Sequence, residues 1–169
     1  KRHQTFFEMM GNFSEGDYFK NEAIGFAFEL LTSPDYFNIP KDKIYVTVYL
    51  DDEDAKKRWV EVGLDKDHIV PLEGNFWEIG EGPCGPDTEI FYFRSDDEIP
   101  EVFDPEDDRW VEIWNNVFMQ YNKSADGSIS ELPKKNVDTG MGVERTTAIL
   151  EGVNDNYESS IWKDVIELI

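Results

Sequence analysis

Trp110-Val-Glu-Ile-Trp-Asn-Asn-Val-Phe-Met-Gln-Tyr-Asn-Lys123, dense in aromatic and branched residues, runs directly into Ser124-Ala-Asp-Gly127. Side chains of that kind fit a pleated, half-buried surface, and an Asp-Gly pair after them turns the chain back on itself. The stretch predicts a long hairpin arm. Beyond it, Val137-Asp-Thr-Gly-Met-Gly142 leads into a helix of Val143 to Leu150, closed by Gly152.

Upstream of the arm, helical and strand patterns alternate. Thr88 to Phe93 predicts a strand, Gly80-Glu-Gly-Pro-Cys-Gly-Pro86 a shaped loop, and Asn75 to Ile79 another strand. Ile44-Tyr-Val-Thr-Val-Tyr-Leu50 is β-branched and aromatic and predicts a strand. Asp51 to Asp54 then supplies acidic residues for the N-terminus of a helix that runs through Trp59 to about Val62 and ends at Gly63. Asn21 to Leu31 puts Ile24, Ala27, Phe28 and Leu31 on one helical stripe, with Ser33-Pro34 as its stop. At the start, Thr5, Phe7 and Met9 alternate with Phe6 and Glu8 as in a strand; at the other end, Ser160 to Ile169 has helical spacing. The polar stretch Arg94 to Arg109 predicts a surface excursion. Hairpin-joined strands with helices between some of them define an α+β fold on a largely antiparallel sheet. With no initiator methionine and a final helix that stops without a breaker, the expectation is a piece of a longer chain.

The 169 residues fit one domain, and 40% hydrophobic with 14% aromatic content suffices for a core that buries roughly two thirds of the unfolded surface. No apolar run approaches the roughly 20 residues that cross a bilayer, so no membrane partner is expected. A single cysteine, Cys84, excludes an internal disulfide framework and a metal site built on several thiolates. The charge is lopsided, 16 Lys+Arg against 37 Asp+Glu for a net of -21. Nucleic-acid affinity comes largely from Lys and Arg at phosphates, so on its own this balance argues against such binding as the main activity.

The most informative short segment is Asp138-Thr-Gly-Met-Gly-Val-Glu-Arg145. Two glycines at a helix entry let a ligand approach the backbone, and the helix N-terminus favours an anion. Arg145 could add a two-pronged contact to phosphate, and Asp138 could pair with a cationic group. An ordinary glycine turn before a helix would look the same. The Gly80–Pro86 segment fits either a substrate-lining loop or a tight structural connection. Cys84 has neither His3 nor His68 near it in sequence, which gives no support for a nucleophile. In Trp114-Asn-Asn-Val-Phe-Met119, Asn115 is the residue whose amide needs a partner if buried. Arg2-His-Gln-Thr-Phe-Phe-Glu-Met-Met-Gly-Asn-Phe-Ser14 could hold a nucleotide by charge and stacking, or be a half-buried strand.

Taken in order along the chain, that last segment, Gly16-Asp-Tyr-Phe-Lys20, Gly82-Pro-Cys-Gly-Pro86, Glu112-Ile-Trp-Asn115, Val117-Phe-Met-Gln120 and Val137-Asp-Thr-Gly-Met-Gly-Val-Glu-Arg145 closely resemble the alanyl-tRNA synthetase family. The resemblance covers essentially the whole chain and implies a partial class II catalytic core, an antiparallel sheet flanked by helices, from the second half of motif 2 through motif 3. It implies a ligase that joins alanine to ATP, with Mg²⁺, as alanyl-adenylate and passes the alanyl group to the 3′ end of tRNA(Ala) in the cytoplasm. Arg145 would bind the γ-phosphate side of ATP beside Gly142, with Arg2 or His3 assisting and Phe6 or Phe7 stacking near adenine. Asp138 would hold the alanine ammonium, Gly140 would leave room beside it, and Trp77, Asn115 and Val117 would line the small pocket. Asp138 and Arg145 would then carry the catalytic step, and Glu112 and Glu89 are the candidates for Mg²⁺.

Two positions depart from the family pattern: Glu15 where an aromatic is usual, and Asp87-Thr88 where a small pair is common. On the resemblance, motif 1 and the first strand of motif 2 would lie upstream. The tRNA-recognition helices, a zinc-containing editing region and a C-terminal oligomerisation region would lie downstream. The 169 residues alone are therefore expected to be inactive, marginally stable and poor at binding tRNA. A noncatalytic ligand-binding or interaction module, or an enzyme loading alanine onto another carrier, are the alternatives.

Overall fold

The computed structural model describes residues 4–169. Their strands are β1 (Met9–Met10), β2 (Phe13–Glu15), β3 (Ile44–Tyr49), β4 (Ile69–Leu72), β5 (Phe76–Trp77), β6 (Gly82–Phe93), β7 (Trp110–Lys123) and β8 (Ile129–Gly142). The helices are α1 (Lys20–Thr32), α2 (Glu53–Val62), α3 (Val143–Leu150) and α4 (Ser160–Ile166). The sheet runs β1-β8-β7-β6-β3-β4, with β2 also on β8 and β5 also on β6. Every pairing is antiparallel except β3 with β4. The expected α+β architecture is present, and the predicted hairpin arm is β7 and β8 around the Ser124–Gly127 turn.

Because side chains alternate across a strand, one face of the sheet is apolar and the other polar. Val46 and Val48 on β3, Ile90 on β6, Trp114 and Phe118 on β7 and Met141 on β8 form one cluster with Ile24, Ala27 and Leu31 of α1 and Trp59 of α2. The indole of Trp59 is fully buried, and its N–H donates to Thr88 Oγ1 at 3.0 Å. Thr88 in turn donates to the Thr47 carbonyl at 2.7 Å, so this departure from the family pattern satisfies a buried indole. The excursion from Arg94 to Arg109 carries no helix or strand and packs Ile99 and Phe103 onto Phe91, Phe93 and Trp110.

Four sequence expectations change. No strand covers Thr5 to Glu8; the ladder begins at Met9, because the Glu8 N–H is taken by the Glu144 carboxylate. The segment Gly82 to Pro86 is the first half of β6 and not a loop. Gly85 is required there because a Cβ would collide with the Phe118 carbonyl of the neighbouring strand. The strand expected at Asn75 to Ile79 shortens to Phe76–Trp77, and β4 joins the sheet unannounced. Glu15 ends β2 exposed, opposite Asn136, so no aromatic contact is needed.

The starts of α1 and α2 are joined by a buried ion pair. Asp52 caps α2, its Oδ1 accepting from Ala55 N at 3.1 Å, and the same oxygen accepts from Lys20 Nζ at the first residue of α1. Only 9% and 4% of the two side chains are exposed. Removing one partner strands a buried charge and costs about 3–5 kcal/mol. Asp52→Ala is therefore expected to lower the unfolding free energy by about that amount, whereas Asp51→Ala, on the exposed neighbour, should change it by less than about 0.5 kcal/mol; urea denaturation followed by circular dichroism measures both.

Candidate functional site

On the polar face, ladder register sets the geometry. Thr47, Glu89, Asn115 and Gly140 stand side by side across β3, β6, β7 and β8, and Asp87, Val117 and Asp138 form the adjacent row. Gly142 ends β8 and is the N-cap of α3, so the helix N-terminus opens immediately beside these rows. Arg145, in the first turn, reaches back to β7: its Nη1 donates to the Glu112 carbonyl at 2.7 Å and lies 3.5 Å from Glu112 Oε2. The folded-back Arg145 stem passes close to Gly142, 3.4 Å from where a Cβ there would stand, an ordinary contact distance.

The segment Gln4 to Met9 roofs this region. Glu144, 1% exposed, accepts the Glu8 N–H with both carboxylate oxygens at 3.0 Å, and Val143 N donates to the Glu8 carbonyl at 3.0 Å. Met9 pairs with Gly142 and lays its Cε where a Cβ on Gly140 would come within 3.4 Å. The enclosed space, about 180 Å³, is lined by Phe7, Met9, Glu112, Gly140, Gly142 and Arg145 among others.

Acidic groups crowd the polar face. Burial, then the charges of Glu112 and Asp87, pushes the Glu89 carboxyl up to about 7 against an ordinary 4.5. Burial likewise pushes Asp87 up to about 6, although hydrogen bonds from Asn75 and Asn115 pull the other way. Thr47 Oγ1 donates to Glu89 Oε2 at 3.3 Å. Each carboxyl takes its proton more readily because neighbours of like sign stand close in a poorly hydrated place. Among the described residues, no group of three or more His, Cys, Asp or Glu side chains is arranged to hold a metal ion.

The structure thus gathers Phe7, Gly140, Gly142, Arg145 and Glu112 around one cavity and sets Glu89, Asn115, Val117 and Asp138 on the sheet face leading to it. It does not bring in Phe6, which is 58% exposed and meets Trp162 edge-on at 6.0 Å. Trp77 pairs with Gly85 on β5, outside that cavity. Arg2 and His3 lie outside the described residues. Cys84 is buried in β6, and burial raises its thiol pKa, the reverse of what an activated nucleophile needs. Of the two asparagines, it is Asn116 that is fully buried and lacks side-chain hydrogen-bond partners. Sequence reasoning missed Asn75, Glu144 and Met9, and it did not place Asp87 in the site.

A mostly antiparallel sheet whose hairpin arm ends in Gly-Met-Gly and runs straight into a helix with an inward-folded arginine is the catalytic-core architecture of a class II tRNA synthetase. The family model for tRNA synthetases class II (A) matches residues 1–169. Relatives include alanine-tRNA ligases of Acholeplasma laidlawii, 56% identical over 173 residues, and Streptococcus pyogenes serotype M18, 52% identical over 177, each covering 98% of this chain. That of Streptococcus mutans serotype c is 50% identical over 180 residues and covers 99% of the chain. The chain belongs to the alanyl-tRNA synthetase family of class II, and it spans 20% of the length of these relatives.

The raised carboxyls have a consequence for stability. Glu89 binds its proton more tightly in the fold than in the unfolded chain, so its ionisation costs stability as pH rises from 4.5 to about 7. Glu89→Gln, which cannot ionise, should gain on the parent chain by about 3 kcal/mol between the two ends of that window. Urea denaturation at a series of pH values tests this; a constant difference across the window would contradict it.

Proposed function

We propose that this chain is the alanine-activating part of an alanine-tRNA ligase. The observation that carries the reading is the register that seats Asp138 beside Val117 and Gly140 beside Asn115, one helical turn from Arg145. An amino acid with its ammonium at Asp138 meets bulk at Val117 and, at Gly140, a small space bounded by Met9, which suits a methyl side chain. Packing alone rejects a close analogue only weakly, so discrimination against serine or glycine falls to editing elsewhere in the full-length ligase.

Activation needs no protein nucleophile. The alanine carboxylate attacks the α-phosphate of ATP, pyrophosphate leaves, and the protein positions both and stabilises developing charge. In this reading Arg145 turns from Glu112 toward the γ-phosphate, the helix start at Gly142 adds its dipole, and Phe7 offers a ring to the base. Glu89 and Glu112, whose mutual repulsion a divalent cation relieves, suit the Mg²⁺ that accompanies ATP. The alanyl group then passes to the 3′ end of tRNA(Ala), in the cytoplasm where charging serves translation.

The test uses the full-length ligase that contains this sequence. Alanine-dependent exchange of pyrophosphate into ATP is expected, and its absence with normal ATP binding would sink the reading. Asp138→Ala should lower kcat/KM for alanine by about 30-fold or more, the scale for truncating one side of a desolvated charge pair, and leave ATP binding near normal. Equal losses for both ligands would remove Asp138 from the ammonium.

A further inference from the structure

Two buried polar side chains on the polar face have no part in the scheme above. Asp87 is 4% exposed and Asn75 is 2% exposed, and they close a reciprocal ring: Asp87 N donates to the Asn75 carbonyl at 2.9 Å, and Asn75 Nδ2 donates to Asp87 Oδ1 at 2.7 Å. The same Nδ2 donates to Thr47 Oγ1 at 2.8 Å, which ties the ring to β3.

Besides the ring, β5 is held by the contacts of Phe76 with Tyr49 and Tyr121 and by a surface ion pair from Lys123 to Glu78 at 2.6 Å, none of which is a buried polar tie. It is two residues long, and it pairs Phe76 with Pro86 and Trp77 with Gly85. The Asp87 N–H to Asn75 carbonyl bond makes Phe76–Pro86 a non-hydrogen-bonded pair, so Pro86 costs the ladder nothing and the Asn75–Asp87 contact is itself the end rung of this short ladder. The flanking residues Glu73, Gly74 and Glu78 are exposed. The Asn75–Asp87 ring is the buried anchor that fixes where β5, and with it Trp77, sits. Asp87 is also set in register with Val117, which faces Asp138, and lies beside Asn115, a neighbour of Gly140 on the candidate pocket floor, closely enough for Asn115 to hold its carboxyl down.

We propose that Asp87 is a positioning residue for amino-acid recognition: through Asn75 it ties β5 to Thr47 on the polar face, and from its place beside Val117 and Asn115 it fixes the pocket floor. The proposal rests on the alanine-activating reading and deepens it. It makes Asp87 a hydrogen-bond acceptor whose geometry counts and whose charge does not. An asparagine in its place keeps an oxygen for Asn75 and offers an amide N–H to Asn115 Oδ1, which has no hydrogen-bond partner here. An alanine keeps neither.

The experiment compares Asp87→Ala, Asp87→Asn and Asn75→Ala in the full-length ligase. Asp87→Ala is expected to raise the KM for alanine by about tenfold or more, as for a lost hydrogen bond to a charged group, with the KM for ATP within about twofold. Asp87→Asn should restore the parent KM to within about threefold, and joining Asp87→Ala to Asn75→Ala should cost little more than either alone, since both break one ring. Loss in Asp87→Asn equal to that in Asp87→Ala, or equal rises in both KM values, overturns the proposal. Hydrogen–deuterium exchange of residues 73–79 supplies a readout independent of activity: faster in Asp87→Ala and unchanged in Asp87→Asn if the tie is real, unchanged in both if it is not. A parent enzyme lacking alanine-dependent exchange would count against the functional reading alone, and the exchange rates of residues 73–79 would still decide the tie.

Discussion

β7 is hydrogen-bonded along both edges, to β6 on one side and β8 on the other, and nearly everything else takes its position from that double pairing. Its even-numbered residues Trp114, Asn116 and Phe118 are committed to the apolar face under α1 and α2. A slip of one residue would turn Asn115 and Val117 into the core and expose the rings of Trp114 and Phe118, so the register is strongly specified. With the register set, Asn115 and Val117 must face the polar side opposite Gly140 and Asp138. The pocket floor is thus a by-product of how the core is buried.

The same constraint concentrates charge. A chain of net charge -21 could spread its carboxylates over a solvated surface, and most of them do lie there. Asp87, Glu89 and Glu112 instead share one face of the sheet within reach of one another, enough to raise two of the three. An acidic balance that argues against nucleic acid as a partner for these 169 residues is locally an argument for a cation-bearing one. Buried like charges cost stability, and clusters of this kind concentrate where proteins trade stability for function.

Much of this was visible in the sequence because local pattern and tertiary role agree. The Asp-Gly turn after an aromatic strand, the Asp52 cap and Gly63 stop of α2, and the Gly142 entry to α3 all do what their residue types favour. Where the sequence misled, pairing overrode propensity. Gly82 to Pro86 has the composition of a loop, yet β7 recruits it, and Gly85 serves close backbone approach instead of a turn. β4, with Pro71 on a sheet edge, is legible only once α2 has carried the chain across to lie parallel to β3. Asn75 and Asp87 are separated by 12 residues and follow no period, so no pattern joins them. Phe6 and Phe7 could not be told apart without knowing that Glu144 captures the Glu8 amide and ends the alternation early.

That capture has a mechanical meaning. Glu144 and Arg145 are consecutive on α3, one holding the roof of the cavity and the other folding into it. Roof and arginine therefore ride on the same turn of helix. The root of the arginine and the carboxylate that suspends the Phe7–Met9 roof are thus fixed to one rigid turn, so the spacing between them stays constant however the Arg145 side chain turns.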